Sequence, residues 1–452
     1  MRRSFAFSFA VLACVLAAAA PAQAKLPPVK HVWVIVLENE NQATSFGPNS
    51  PAPYLAKTLR SRGNYIPNYY GVTHASLGNY IAMISGQGSN PTTQGDCPTF
   101  SDFMPGVIGA DGQAIGTGCV YPTPVQTLAD QLPTRGRSWK GYMEDMGNIP
   151  SREASTCGHP ALNGPDGTQS AKNGDQYATR HNPFVYFHSL LDSGACAKYD
   201  VSLNPLIGDL RTNHVPSFSF ITPNLCNDGH DGPCADGKPG RLKGVDSFLR
   251  LWIPRITGSR AYHQGGMLIV LFDEAGSDNT SCCGEPQFPN TPSNGGPGGG
   301  TGGGKVGAVV LSPFAKPGST TNAGYNHFSL LRSMEDLFGL SHLGYAGRPE
   351  LKAFGSDVYN GPPCGEYFDL PFKSHGSYRR GTLIASARVS HHKLLVRMAH
   401  AARVSGFVGR RQVLSSRQLR LCRTYRLGLP RGHGTIQLRA RRGAVERRSL
   451  RF

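Results

Sequence analysis

Five polar residues stand where apolar runs stop abruptly or start. Glu38 and Asn39 follow HVWVIVL (31–37), Asp273 and Glu274 follow GGMLIVLF (265–272), and Ser76 lies within THASLGNYIAMISG (73–86). Singly, each has an ordinary use. Glu38 and Asn39 can turn the chain and Asp273 can cap a helix. A serine before an apolar-periodic run is a common N-cap, because its hydroxyl accepts a backbone N–H left free in the first turn. Together they supply three carboxylates, an amide oxygen and a hydroxyl. Crowded carboxylates repel unless a cation or a shared proton compensates them. An oxygen-rich set suits a hard divalent ion, Mg²⁺, Mn²⁺ or Ca²⁺ in preference to Zn²⁺. A serine hydroxyl beside such an ion loses its proton more readily and becomes a usable nucleophile. The residues alone leave Ser76 with two readings, cap or nucleophile.

The elements that must position this set are legible as apolar runs. HVWVIVL and GGMLIVLF are continuous and β-rich, as are PSFSFITPN (216–224) and KVGAVVLSPF (305–314), which marks strands buried on both faces. Between them TPVQTLADQL (123–132), VDSFLRLWIPRI (245–256) and YNHFSLLRSMEDLF (325–338) have helical spacing. Alternating buried strands and helices predict an α/β fold, a mostly parallel central sheet sandwiched by helices. In such sheets sites gather beyond the carboxyl ends of the strands, where both acidic pairs fall. Residues 275–304 read as a flexible Gly-rich loop. Its GGTGGGKV is not a phosphate loop, because Val306 replaces the Ser or Thr that would hold magnesium.

Compartment and charge bound the function further. MRRSFAFSFAVLACVLAAAAPAQAK has the Arg pair, apolar run and Ala22-Gln23-Ala24 of a secretory signal peptide spanning residues 1–24. No later apolar run is long enough to cross a bilayer, so a secreted, extracellular or cell-envelope protein is expected. Of eleven cysteines, ten remain after Cys14, an even number suited to disulfides outside the cytoplasm. Cys97/Cys119 and Cys226/Cys234 are close enough in sequence to close local loops, Cys422 stands alone in the tail, and no CxxC pair supports a zinc site. Residues 373–452 carry 20 Lys+Arg against the single acid Glu446, leaving residues 1–372 at −2 of the total +17. There GTLIASARVS, LLVRMAHAARVSG and GTIQLRARR alternate apolar and polar residues between Gly turns, predicting a small basic β-rich C-terminal region. The expected division is 1–24 signal, 25–372 catalytic domain and 373–452 basic domain or tail.

Over roughly residues 30–345 the chain resembles the bacterial phosphoesterase family of secreted acid phosphatases and phospholipases C, related in fold to alkaline phosphatase. The likeness rests on VIVLEN (34–39), HASLGNYIAMISG (74–86), HNPF (181–184), PNLCNDGHD (223–231), the acidic pair Asp273-Glu274 and YNHFSLLRSMEDLFGL (325–340), in that order. The resemblance implies that Ser76 is a phosphorylated nucleophile that also touches the metal, with Glu38, Asn39, Asp273 and Glu274 completing the metal site. It implies that His181 and His230 contact the phosphate or protonate the leaving oxygen, with Asp228, Asp231, Asn326 and His327 near the pocket. Such roles match phosphoryl transfer, which needs positioning, charge neutralisation and a proton for the leaving group. Ala75 and Gly78 stand where the family usually has prolines, which predicts a less rigid nucleophile turn, and Glu274 is a methylene longer than the aspartate of some members. His74 and His214 read as structural.

The expected function is a secreted metal-dependent phosphomonoesterase of acid-phosphatase type, working through phosphoserine. The rivals are a phospholipase C-type phosphodiesterase and a non-catalytic envelope-binding protein that keeps the fold. The basic tail is expected either to aid solubility or to hold an anionic surface such as envelope polymer or lipid head groups, with no specific nucleic-acid recognition.

Overall fold

The computed structural model describes residues 26–361, 384–390, 393–398, 402–419, 424–429, 434–442 and 444–451. The signal segment, Cys14, Cys364 and Cys422 lie outside the described residues. Among those described, eight strands make the central sheet: β1 (His31–Leu37), β2 (Asn64–Ile66), β3 (Trp139–Met143), β4 (Asp200–Ser202), β5 (Phe218–Thr222), β6 (Gly266–Phe272), β7 (Ala308–Leu311) and β8 (Ser319–Thr320). Their spatial order is β8-β2-β7-β6-β1-β5-β3-β4.

β1 holds the middle, parallel to β5 with Val34 opposite Phe220 and parallel to β6 with Val34 opposite Ile269. Because both of its edges and both of its faces are covered, an unbroken apolar run fits there; Val32 to Leu37 are all buried. Each such side chain contributes about 1.5–3 kcal/mol by leaving water. The sheet is parallel except at β7, which runs antiparallel to β6 and β2. β2, β3, β4 and β8 are short or carry polar residues such as Asn64 and Lys140, so no apolar run announces them.

Three helices were expected, and each forms with shifted ends. Leu128–Thr134 begins at a reciprocal cap in which the Thr127 hydroxyl accepts from the Asp130 N–H and the Asp130 carboxylate accepts from the Thr127 N–H. Arg241–Thr257 extends beyond both ends of the expected run. His327–Phe338 starts one residue after its cap, Asn326, whose Oδ1 accepts from the Ser329 N–H at 2.8 Å. It packs against the Ser76–Ser85 helix. No helix of the described residues is long and apolar enough to cross a membrane.

Disulfides join Cys97–Cys119, Cys157–Cys196, Cys226–Cys234 and the neighbours Cys282–Cys283. Two of these close the local loops expected from sequence. Toward the C-terminus, seven strands among the described residues, from Ile384 to Arg451, form two small sheets of three and four strands. They enclose an apolar cluster of their own, built on Leu394, Val404, Leu419, Ile436 and Leu438, distinct from the cluster around the central sheet.

Two fully buried carboxyls outside the site tie stability to pH. Burial raises Asp200 to about 7, and it raises Glu335 to about 8. In the unfolded chain these groups titrate near their free values, about 3.9 and 4.3. Between the free and the raised values the folded protein holds protons that the unfolded chain has released. Stability therefore falls as pH rises from about 4 to 8 and levels off above that range. The thermal midpoint should be higher at pH 5 than at pH 8 by several degrees. Asp200→Asn should flatten that dependence. A midpoint that rises toward pH 8 in the parent would contradict this assignment.

Candidate functional site

The carboxyl ends of β1, β5 and β6 converge. Glu38 and Asn39 directly follow β1, Asp273 and Glu274 follow β6, and the loop after β5 carries Asp228, His230 and Asp231. Asn39 sits in the left-handed region at φ 47°, a conformation that asparagine tolerates better than most residues. The bend turns its N–H toward Asp273 Oδ1 at 3.2 Å and its Nδ2 toward Glu274 Oε1 at 3.2 Å. The two acidic strand ends are thereby laced together.

Ser76 enters from the opposite side as the first residue of its helix. The N-cap position belongs to Ala75, and the Ser76 hydroxyl makes no capping bond. Instead it donates to Glu38 Oε2 at 2.7 Å, while the Leu77 N–H is accepted by Asp96 Oδ1 at 3.0 Å. The capping reading of Ser76 is therefore incorrect: the first turn takes its acceptor from Asp96. The turn before the helix is fixed by Asn79, whose Oδ1 accepts from Val72 and Thr73 and whose Nδ2 donates to the Thr73 carbonyl. That bracing replaces the stiffness expected to be missing without prolines at 75 and 78.

The Gly-rich loop seals the turn from outside. A Cβ at Gly296 would lie 2.1 Å from the His74 carbonyl oxygen, and one at Gly303 would lie 2.3 Å from that of Thr73. Here glycine serves close approach, so the loop expected to be flexible is packed against backbone.

Glu38 lies at the centre and is fully buried. Its Oε1 accepts from the Tyr80 hydroxyl at 2.5 Å. His181, stacked on Tyr80 at 5.2 Å between centroids, places Nε2 3.3 Å from Glu38 Oε2 and Nδ1 3.3 Å from Asp228 Oδ2. Burial, then the charges of Asp273 and Asp228, push the Glu38 carboxyl well above its usual range. Burial, then Glu274, does the same to Asp273. His181 is driven well below its usual range, first by burial and then by the Arg180 and His230 charges. In a dry pocket without a cation, acid and imidazole alike favour their neutral forms.

The other expected residues divide. His230 is part-exposed, its Nδ1 2.7 Å from Asp231 Oδ1 and its ring 6.1 Å from that of His181. Glu274 forms an ion pair with His74, whose Nε2 reaches the Asp278 carbonyl. His327 is buried with Nε2 on the Asp273 carbonyl and Nδ1 on the Tyr69 hydroxyl; burial lowers it to about 4. It braces the acidic strand end. Asn326 caps its helix and pairs with Glu285, with no hydrogen bond to the Glu38 cluster. His214 is exposed beside Thr212.

Three residues that sequence reasoning missed belong here: Tyr80, Asp96 and Arg180. Tyr80 lies four residues after Ser76, one helical turn on, a spacing that could have found it. Arg180 is buried with Nη2 3.5 Å from His230 Nε2 and Nε 3.8 Å from Asp96 Oδ2. It precedes the HNPF segment and carried no other signal.

The donor set fits a hard cation. Asn39 Oδ1, Asp273 Oδ2 and Asp228 Oδ2 are buried oxygens with no hydrogen-bond partner among the described residues. One ligand atom each from Glu38, His181 and Asp228 lies within 4.8 Å of the others. Orphaned carboxylate and amide oxygens in a water-poor pocket are satisfied by a divalent ion.

Residues 52–341 match the Phosphoesterase family. An acid phosphatase of Aspergillus fumigatus is 24% identical over 70% of this chain and 55% of its own length. A phosphate-repressible acid phosphatase of Penicillium chrysogenum is 26% identical over 70% of this chain and 59% of its own. The chain thus spans little more than half the length of these relatives. A phosphatidylinositol-3-phosphatase of Mycobacterium tuberculosis is 23% identical over 72% of this chain and 82% of its own. A solved alkaline phosphatase superfamily protein of Vibrio parahaemolyticus superposes with a TM-score of 0.42 and 10% identity, covering 94% of this chain and 82% of that one. With the match spanning most of the unit built on the central sheet, this chain belongs to the Phosphoesterase family.

Proposed function

We propose that the chain is a secreted metal-dependent phosphomonoesterase of acid-phosphatase type that works through a phosphoserine at Ser76. One observation carries the reading: a helix-start serine whose hydroxyl is directed at a buried carboxylate, Glu38 Oε2 at 2.7 Å, rather than at its own helix. The named activities of the relatives support the reaction class, and the disulfides support an oxidising compartment.

The phosphoryl group is taken to lie beyond the N-terminus of the Ser76–Ser85 helix, whose dipole favours an anion. Ser76 Oγ bonds to phosphorus as the ester oxygen leaves, and Glu38, which a bound cation would keep ionised, is the acceptor to which its proton already points. His230, at the open rim and oriented by Asp231, donates the proton that the leaving oxygen needs. Neutral, buried His181 holds Glu38 and Asp228 apart. Water then releases phosphate from Ser76. A divalent cation held by Glu38, Asn39, Ser76, Asp273 and Glu274 would supply charge neutralisation and a lowered hydroxyl pKa, with Mg²⁺, Mn²⁺ or Ca²⁺ preferred over Zn²⁺ by the oxygen donors. The basic C-terminal region adds a second, separable property, attachment to an anionic surface.

Ser76→Ala should still fold, at a cost of about 1–3 kcal/mol, because no cap is lost but buried Glu38 Oε2 loses its donor. Its turnover of p-nitrophenyl phosphate should fall by several orders of magnitude. Acid quenching of the parent with labelled substrate should trap phosphate on the peptide containing Ser76; a variant keeping a tenth of the activity would remove Ser76 as nucleophile.

Exhaustive chelation should abolish turnover, and Mg²⁺, Mn²⁺ or Ca²⁺ should restore it better than Zn²⁺. Full activity with no metal by elemental analysis would remove the ion. A methyl or choline diester assayed beside the monoester separates phosphatase from phospholipase C chemistry.

Tyr80→Phe leaves one Glu38 oxygen without its donor. The expected cost is about 1–3 kcal/mol of stability, together with a kcat reduced at least about tenfold. Unchanged kcat would place Tyr80 outside the machinery.

A further inference from the structure

The four-stranded C-terminal sheet has two unlike faces. Its strands Ala402–Val408, Thr435–Arg442 and Ala444–Arg451 lie side by side and antiparallel. In that register Arg403 stands opposite Arg441, Arg439 opposite Arg447, and Thr435 opposite Arg451. Directly opposed residues share a face, and alternate residues along each strand share it too. Arg403, Arg439, Arg441, Arg447 and Arg451 therefore line one face, while Val404, Ile436, Leu438 and Ala440 fill the core behind it. Four of the five arginines are exposed. Arg439 is laid over the Phe407 ring at 4.3 Å and donates to Gln437 Oε1 at 3.3 Å, which orients its guanidinium. The region's single acid, Glu446, is registered opposite Ala440.

Like charges placed directly opposite one another destabilise a sheet, so folding does not select this arrangement. Solubility does not select it either. Between residues 384 and 451 there are sixteen arginines and one lysine, and simple net charge has no preference for the guanidinium. What distinguishes arginine is a planar fork that holds phosphate oxygens in pairs.

We propose that this face docks on an anionic phospholipid surface, each guanidinium engaging headgroup phosphate. The inference rests on the surface-attachment reading and is independent of the phosphatase reading. The arginines spread over three adjacent strands, about 4.8 Å apart across the sheet and about 6.8 Å apart along it. A two-dimensional grid of that kind meets a two-dimensional field of phosphates more fully than it meets a single linear polymer. Single-stranded nucleic acid would need a platform of free aromatic rings. The one aromatic on this face among the described residues, Phe407, is already covered by Arg439.

The test is sedimentation of the full mature chain with vesicles of phosphatidylcholine alone or mixed with phosphatidylglycerol, at low and high salt. Binding should favour the anionic vesicles by at least about tenfold and weaken steeply with salt. Arg439→Gln/Arg441→Gln/Arg447→Gln should lose at least about tenfold in that binding, and the Lys triple at the same positions should lose part of it. Arg135→Gln/Lys198→Gln/Arg211→Gln removes the same charge from exposed positions of the central-sheet unit and should bind like the parent. Should the Gln triple fail to fold, Arg403→Gln/Arg451→Gln changes two exposed side chains on the same face and should show the same direction. Turnover of p-nitrophenyl phosphate should be unchanged in all of them. Equal losses in the two Gln triples would overturn the face and leave only net charge. Absence of binding in the parent would overturn surface attachment as well. Tighter binding of the parent to DNA or soluble polyphosphate at equal phosphate would overturn the lipid assignment.

Discussion

Burying carboxylates in proximity sets the terms for the rest of this molecule. Glu38, Asp228, Asp273 and Glu274 are each almost wholly removed from water, and the first three feel one another or Glu274 directly. An uncompensated buried charge costs several kcal/mol. The fold answers with donors from four directions: the Ser76 and Tyr80 hydroxyls, the Asn39 amide and side chain, the His230 N–H to Asp228 Oδ1, and His74. Those donors do not exhaust the oxygens. The remainder calls for protons or a cation, and a pocket needing positive charge is one that can also receive a phosphate ester.

The sheet makes such crowding possible. Parallel strands deliver their carboxyl ends to one edge, so residues more than two hundred positions apart are brought together there, and the Asn39 bonds to Asp273 and Glu274 then lace them. β1 and β6 run in register, Leu37 opposite Phe272, and the acidic pairs leave them side by side. The Ser76–Ser85 helix is then aimed at that edge by Asn79 and Asp96, and held there by the His327–Phe338 helix behind it. Rigidity of the turn comes from the Asn79 hydrogen bonds, although Ala75 and Gly78 in place of prolines had predicted a looser one.

Much of this was legible in the sequence for physical reasons. β1 and β6 lie in the interior on every side, so their composition is unmistakable, and the polar residues that end them stand out. Family membership followed from short motifs whose order survives at low identity. What stayed hidden was contact chemistry. Whether Ser76 caps its helix depends on where one hydroxyl points, and Asp96, twenty residues on, takes the cap's place. Asn326 shares its motif with His327, yet one caps a helix while the other grips the Asp273 carbonyl. β3 and β4 escaped notice because Lys140, Gly141 and Asp200 interrupt any apolar signature. The split between the two faces of the C-terminal sheet was visible only as alternation until register assigned which arginines are neighbours.

The glycine loop over the turn before Ser76 inverts an ordinary expectation about tolerance to change. A segment such as SNGGPGGGTGGGK has the composition of a tether, the kind of sequence that lengthens, shortens and drifts at no cost. Here its backbone occupies space that side chains would take at several positions, and the His74 and Thr73 carbonyls stand within about a bond length and a half of a carbon added at Gly296 or Gly303. Ordering so many glycines is entropically expensive, so the loop is kept in place by the fit itself. Drift in this region should be narrower than in many core positions, where one apolar residue can stand in for another. The plainest-looking stretch of the chain is far less open to respelling than its composition suggests.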